Sequence, residues 1–238
     1  MSPDATPPIQ DVGVVIVAGG TGTRAAGTTG ELKQFRWVGT KPMLLHTVHA
    51  FQRRADVALV VVVLPRSHAA DPPPWLFQCD LDRLLVSTGG NDRGESVWSG
   101  LEDLPDELTI AVIHVAARPL VTDATIEAVI AEARRGHGAV AALPVVDTLK
   151  EVAPDGRIVR TIERGGLWRA QTPQAFPLRV IEQAYVEARL ANVTATDDAA
   201  LVERLGLDVV VVRGSERAMK VTEEADFARA ERLASLVD

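Results

Sequence analysis

The stretch Val12–Gly19, VGVVIVAG, is a continuous apolar run, rich in β-branched residues and closed by glycine. It does not alternate, so neither face of the strand it predicts meets water, as expected of a central strand in a parallel sheet covered on both sides. The same grammar recurs downstream. VALVVVVLP (57–65), LLVST (84–88), TIAVIHV (109–115), AVAALPV (139–145) and LDVVVVRG (207–214) all read as strands. Helices are predicted between them at about 42–53, where Leu44, Leu45, Val48 and Phe51 keep helical spacing, and at about 93–103, 122–135, 177–191, 197–205 and 223–236. Strands alternating with helices predict an α/β fold, with a mostly parallel sheet and right-handed crossovers.

The rhythm breaks after Pro144. DTLKEVAPDGRIVRTIERGGLW (147–168) reads as a hairpin around the turn Pro154-Asp155-Gly156. A hairpin with so little apolar surface is marginal alone, so it is expected to rest on something else, such as a second subunit. Residues 66–82, with three prolines at 72–74, read as a surface excursion. Residues 1–10 are expected to be a disordered lead-in, because a polar, proline-rich segment has nothing to bury. One domain over 11–238 follows, carrying an arm at about 145–170.

Composition narrows the function. The chain is 47% hydrophobic and 24% charged, which suits a globular protein. Aromatics reach only 4%, too few for a single-strand stacking platform, and a net charge of −7 argues against nucleic-acid binding. An anion site must therefore be local. The lone cysteine, Cys79, cannot build a disulfide framework or a cysteine-based zinc site. His46 and His49 lie three apart on the predicted helix 42–53 without an acid or thiol at ligand spacing, so no metal is expected there. No stretch approaches the roughly 20 apolar residues of a membrane span, and the N-terminus has no apolar signal core, so a cytoplasmic enzyme is expected, with no membrane partner.

The loops carry the chemistry. After the first strand, AGGTGTRAAGTTGELKQF (18–35) sets Ala18, Gly19, Gly20 and Gly22 where backbone N–H groups approach an anion. Arg24 and Lys33 add two cations suited to a polyphosphate whose charge grows during transfer. GGNDRGESVWSGL (89–101) puts Gly90, Asn91 and Asp92 before a helix, where Asn91 and Asp92 suit a base edge. Ser96 suits either a cap or a ligand contact. Thr196 and Asp197 read as N-cap and first-turn acid of the helix at 197–205, and a substrate contact stays open for them. Trp168 reads as a packing anchor for the arm. In IAVIHVAARPLV (110–121) the strand end brings the cation Arg118 and, at Val115, no acid.

Taken in order, AGGTGTR, KQF, GGNDRGESVWSGL, HVAARPLV, DTLK, LWRAQTPQAF, TDDAALVE and KVT resemble the 2-C-methyl-D-erythritol 4-phosphate cytidylyltransferases of the non-mevalonate isoprenoid pathway over about residues 12–232. The resemblance implies a single Rossmann-like nucleotidyltransferase domain with an inserted β-hairpin arm. It implies transfer of a cytidylyl group from CTP to the sugar-alcohol phosphate, in-line and without a covalent enzyme intermediate, releasing pyrophosphate. It further implies that Arg24 and Lys33 stabilise the transition state, that Arg164 and Lys220 hold the attacking phosphate, and that Thr148 lies near the polyol. A homodimer would form through the arm, each site borrowing Thr148 and Arg164 from its neighbour. Magnesium is the implied cofactor, but the position where the family carries its metal-binding aspartate is Val115. Leu32 stands where the family has proline, the loop from Arg24 to Lys33 is longer by two residues, and Ala218 replaces an asparagine. Two alternatives stay open: a ribitol-5-phosphate-type cytidylyltransferase, and a catalytically impaired nucleotide-binding homologue.

Overall fold

The computed structural model describes residues 9–19 and 32–236. In chain order the elements are β1 (Val12–Val17), β2 (Trp37–Val38), β3 (Lys41–Pro42), α1 (Met43–Gln52), β4 (Val57–Leu64), α2 (Arg66–Ala69), β5 (Leu84–Thr88) and α3 (Arg93–Glu102). Then follow β6 (Ile110–Val115), α4 (Asp123–Arg134), β7 (Gly138–Pro144), β8 (Leu149–Val152), β9 (Ile158–Ile162), β10 (Trp168–Pro177), α5 (Leu178–Leu190), α6 (Ala199–Arg204), β11 (Val209–Arg213) and α7 (Glu224–Ala234).

The main sheet has seven strands in the order β11-β7-β10-β6-β1-β4-β5. Strand β1 lies near its middle, parallel to β4 and β6, as its two-sided apolar character requires. The one antiparallel member is β10, which runs between β6 and β7. The sequence pattern does not predict this strand. LWRAQTPQAF carries two glutamines and a proline, and its pairing with β7 is broken by an irregularity between Ala170 and Gln174, so no regular strand pattern survives.

Each face of the sheet buries a core. On one side Val14, Ile16, Val60 and Val62 pack with Leu44, Val48 and Phe51 of α1 and with Ile126, Val129 and Ile130 of α4. On the other, Val15, Val61 and Val63 meet Val97 and Leu101 of α3 and Leu178 and Ile181 of α5. Fully burying one such side chain contributes about 1.5–3 kcal/mol. Gly100 lets α3 lie against the sheet, since a Cβ there would stand 2.4 Å from Val15 Cγ1.

A third cluster positions the site. Phe227, Ala230 and Ala234 of α7 pack with Val38, Met43, Leu120 and Val221. This clamps the segment before α7 against the loop that leaves β6. The arm is different. β8 and β9 pair only with each other, and Val152, Ile158 and Val159 are 52%, 63% and 60% exposed.

Candidate active site

The six strands that run parallel in the central sheet deliver their C-terminal ends to one edge, where ligands of open α/β sheets bind. β1 exits through Ala18 and Gly19. The Ala18 N–H donates to Val63 O at 2.9 Å, and its carbonyl accepts Gln34 Nε2 at 2.6 Å. Gln34 belongs to a short 3-10 turn, Lys33–Phe35, which places Lys33 beside the same edge. Lys33 Nζ donates to Val221 O at 2.9 Å, and Val221 N donates to Ala117 O at 2.8 Å. Arg36, one residue past the turn, pairs with Glu224 at 2.7 Å and lies 3.8 Å above the Phe227 ring. These contacts bring Lys33, Arg118 and the exposed Lys220 together from three separate segments. Gly20, Gly22 and Arg24 lie outside the described residues.

Arg118 follows the β6 end. Its Nη1 donates to Ala218 O at 2.7 Å. That bond uses the backbone of residue 218, so the exchange of asparagine for alanine there leaves it intact. Burial, and then the neighbouring Arg169 charge, pull the Arg118 guanidinium down to about 10, which leaves it cationic at neutral pH. His114 is fully buried, its Nε2 faces Arg118 O at 3.1 Å, and burial pushes its pKa down to about 3. Its Nδ1 has no partner among the described residues. His114 therefore acts as a neutral strut and not as a proton carrier. Because its folded pKa lies below the ordinary histidine value of 6.5, the unfolded chain binds the extra proton between those values. The His114 contribution to stability should be fully present above pH 6.5 and be lost as the pH falls toward about 3, with a slope up to about 1.4 kcal/mol per pH unit. Urea unfolding across that range, compared with His114→Gln, checks it: the variant should lose that part of the slope.

At residue 115 the structure places a half-buried valine. Its N–H donates to Thr172 Oγ1 at 3.2 Å, and its carbonyl accepts Arg118 N at 3.0 Å. Its side chain carries no oxygen, and among the described residues no group of three or more His, Cys, Asp or Glu side chains could hold a metal. The donor set at the β6 end does not fit a protein-ligated magnesium ion, which requires oxygen ligands. On α1, His46 Nε2 meets Val38 O at 2.7 Å. Burial pushes the Cys79 thiol up to about 11, out of the reactive range.

The loop after β5 forms a second wall. Asp92 caps α3, its Oδ1 accepting Glu95 N at 2.8 Å. Ser96 is therefore not the cap. Its Oγ donates to Asp92 O at 2.7 Å and stands 3.2 and 3.1 Å from where a Cβ on Gly19 and Gly89 would be, which joins this loop to the β1 exit. Gly90 and Asn91 are exposed beside it.

An adjoining charge network carries no local signal in the sequence. Asp198, fully buried, accepts Arg93 Nη1 at 2.9 Å and Tyr185 Oη at 2.6 Å. Burial opposes the Arg93 charge, but the Asp198 carboxylate overcomes it and holds the guanidinium above its usual range. Burial, and then that same carboxylate, raise the Tyr185 phenol. The network borders a cleft of about 560 Å³ lined in part by Asp92, Glu95, Trp98 and Asp197. Asp198→Ala should cost about 3 kcal/mol, since removing one partner strands a buried charge. Equilibrium urea denaturation at pH 7 measures it.

The same region corrects the reading of Thr196. α6 begins at Ala199, two residues later than expected, and Asp198 stands at its N-cap position without a side-chain capping bond. Thr196 is exposed outside the helix. Asp197 instead accepts Ala200 N at 3.2 Å and Gln174 Nε2 at 3.0 Å, tying α6 to β10. Trp168 is 43% exposed and pairs with Pro144 where β7 leads into the arm. Thr148 and Arg164 are both exposed on the arm, with Arg164 donating to Val146 O at the arm's base. The described chain does not bring them into the strand-edge cluster. A larger cleft, about 730 Å³, lies where the strands begin, among the ion-paired Asp11, Arg54, Asp56 and Arg134. It is at the wrong end of the sheet for this chemistry.

Cations and glycine turns gathered beyond the carboxyl ends of a mostly parallel sheet, with a hairpin arm standing off it, define an α/β nucleotidyltransferase. The family model described as IspD, 2-C-methyl-D-erythritol 4-phosphate cytidylyltransferase, matches residues 12–235. The chain belongs to that family. It is 39% identical over 228 residues to the 2-C-methyl-D-erythritol 4-phosphate cytidylyltransferase of Frankia casuarinae, covering 95% of this chain and 82% of that protein. It is 36% identical to a bifunctional IspD/IspF enzyme of Desulfotalea psychrophila, covering 92% of this chain and 55% of that longer protein. The crystal structure of the Thermus thermophilus 2-C-methyl-D-erythritol 4-phosphate cytidylyltransferase superimposes with a TM-score of 0.80 at 34% identity, over 94% of this chain and 99% of that one. Neither alternative left open by the sequence is favoured by these matches.

Proposed function

We propose that the chain transfers the cytidylyl group of CTP to 2-C-methyl-D-erythritol 4-phosphate and releases pyrophosphate, a step in isoprenoid precursor synthesis. An oxygen of the substrate phosphate attacks the α-phosphorus of CTP, and the bond to the pyrophosphate oxygen breaks as the new P–O bond forms. The enzyme's part is positioning and charge stabilisation. The observation that carries this reading is the convergence of Lys33, Arg118 and Lys220 at one strand edge through the Val221 and Ala117 backbone. In it, Lys33 with Arg24 stabilises charge on the transferring group, and Lys220 with Arg164 holds the attacking phosphate. Ala18, Gly19, Gly20, Gly22, Gly90, Asn91 and Ser96 surround the nucleotide. Arg118 contacts its phosphates, Thr148 contacts the polyol, and Thr196 lies at the rim.

A homodimer through the arm completes this arrangement, with Thr148 and Arg164 supplied across the interface. Its support is the apolar surface that β8 and β9 leave bare, on a two-stranded hairpin that would be marginal by itself. Magnesium is proposed to arrive on the nucleotide's own phosphates and waters, because Val115 offers it nothing. The cytoplasm is the proposed compartment, supported by a single buried thiol. Among the described residues no helix is long and apolar enough to cross a membrane.

Pyrophosphate release from CTP and methylerythritol phosphate, followed across a magnesium titration, tests the function. Release should require both substrates. No release at any magnesium concentration would sink it.

A further inference from the structure

We propose that Glu95 sets the base specificity of the site, by fixing the side-chain amide of Asn91 so that its oxygen is presented to the nucleotide. The inference rests on the cytidylyltransferase reading, in which this loop meets the base. In an ordinary capping box the acid at the third helical position returns a bond to the N–H of the N-cap residue. Glu95 occupies that position, three residues after the N-cap Asp92, yet it reaches past the cap. One of its oxygens, Oε2, accepts both the Asn91 backbone N–H at 2.8 Å and Asn91 Nδ2 at 2.9 Å. Helix capping does not need the second of these bonds.

The chemistry of the pair determines which way the amide points. An ionised carboxylate only accepts, so it is Asn91 Nδ2 that must face Glu95. Oδ1 is then turned away from Glu95, and among the described residues nothing donates to it. The loop has little room to choose another placement: a Cβ on Gly90 would lie 2.2 Å from Glu95 Cβ, so the glutamate packs directly on the Gly90 backbone. Ser96, one residue on, packs close to Gly19 and Gly89, where an added Cβ would lie 3.2 and 3.1 Å from its Oγ, and keeps the pair beside the β1 exit.

Cytosine and uracil differ where this matters. Cytosine carries an exocyclic amine, a donor, where uracil carries a carbonyl, an acceptor. A fixed acceptor pairs with the first and opposes the second, and a site built around a hydrogen bond rejects the analogue that cannot make it. Glu95 itself touches no base in this account; it is a positioning residue acting through Asn91.

The test is the ratio of kcat/KM for CTP over UTP in the unmodified protein, in Glu95→Gln and in the double variant Asn91→Asp with Glu95→Gln. A glutamine can donate as well as accept, so Asn91 is free to turn, and the ratio should fall about tenfold, mostly through KM with kcat little changed. In the double variant the aspartate accepts on every side and the glutamine donates to it, so the ratio should recover. CTP turnover with an unchanged ratio in Glu95→Gln overturns the inference while leaving the cytidylyltransferase reading standing. A loss of stability without a change in ratio makes Glu95 a structural residue and overturns it too. Absence of turnover by the unmodified protein overturns both.

Discussion

Lys33→Ala should keep its fold and lose roughly 10²–10³ in kcat, the effect of removing one preorganised charge from a developing oxyanion. Lys33 sits on a three-residue turn anchored at both ends, by Gln34 on the Ala18 carbonyl and by Arg36 on Glu224 and Phe227. The ammonium is therefore delivered by a scaffold that survives its removal. Truncation gives up, among its contacts, the charge-assisted bond from Nζ to Val221 O, worth about 1.5–3 kcal/mol. The kinetic and structural effects are therefore read separately. Pyrophosphate release at saturating CTP, with urea unfolding of the same protein, separates the two. Lys33→Arg should recover only part of the rate, since a planar fork does not reproduce a compact point charge. If the loss falls on KM alone, Lys33 binds ground-state phosphate and its assigned role is wrong.

The legible parts of the fold were those specified by local pattern. Val12–Val17 and Val57–Leu64 announce themselves because a strand buried on both faces has no polar positions to confuse it. The helices α1, α3, α4, α5 and α7 fall within two residues of their expected ends for the related reason that their apolar faces repeat. β10 was hidden because its partners, not its composition, make it a strand: Gln174 and Phe176 are held by β6 on one side and Gln174 by β7 on the other. The site divides in the same way. Lys33, Arg118 and Lys220 could be expected at one edge once the sheet was parallel, since each follows or precedes a predicted element. The Arg93–Asp198 pair could not. It joins residues 105 apart in sequence, and Thr196-Asp197 offered a complete local explanation as a cap. Tertiary charge pairing outcompeted that local preference.

Val115→Asp should convert a shallow magnesium dependence into a steep one, raising the rate at saturating magnesium by roughly 10²–10³, the worth of Lewis-acid stabilisation of a few kcal/mol. The substitution is nearly neutral in volume. The β6 end keeps its backbone contacts, because Val115 uses only its N–H and carbonyl, on Thr172 and Arg118. What changes is charge. A carboxylate at a half-buried position beside Arg118 would pair with it and draw its pKa, now held down to about 10 by burial and Arg169, back upward. With the metal chelated, that acid faces the CTP phosphates as a like charge, so CTP should bind more weakly than to the unmodified protein. With magnesium present it becomes the protein oxygen ligand that valine does not provide. The two proteins should therefore cross: the valine protein favoured in chelator, the aspartate protein in millimolar magnesium. Thermal stabilisation by CTP under both conditions reads the binding, and pyrophosphate release reads the rate. Identical magnesium titrations for the two proteins would mean that the metal never meets residue 115, and the account of this strand end would have to be abandoned.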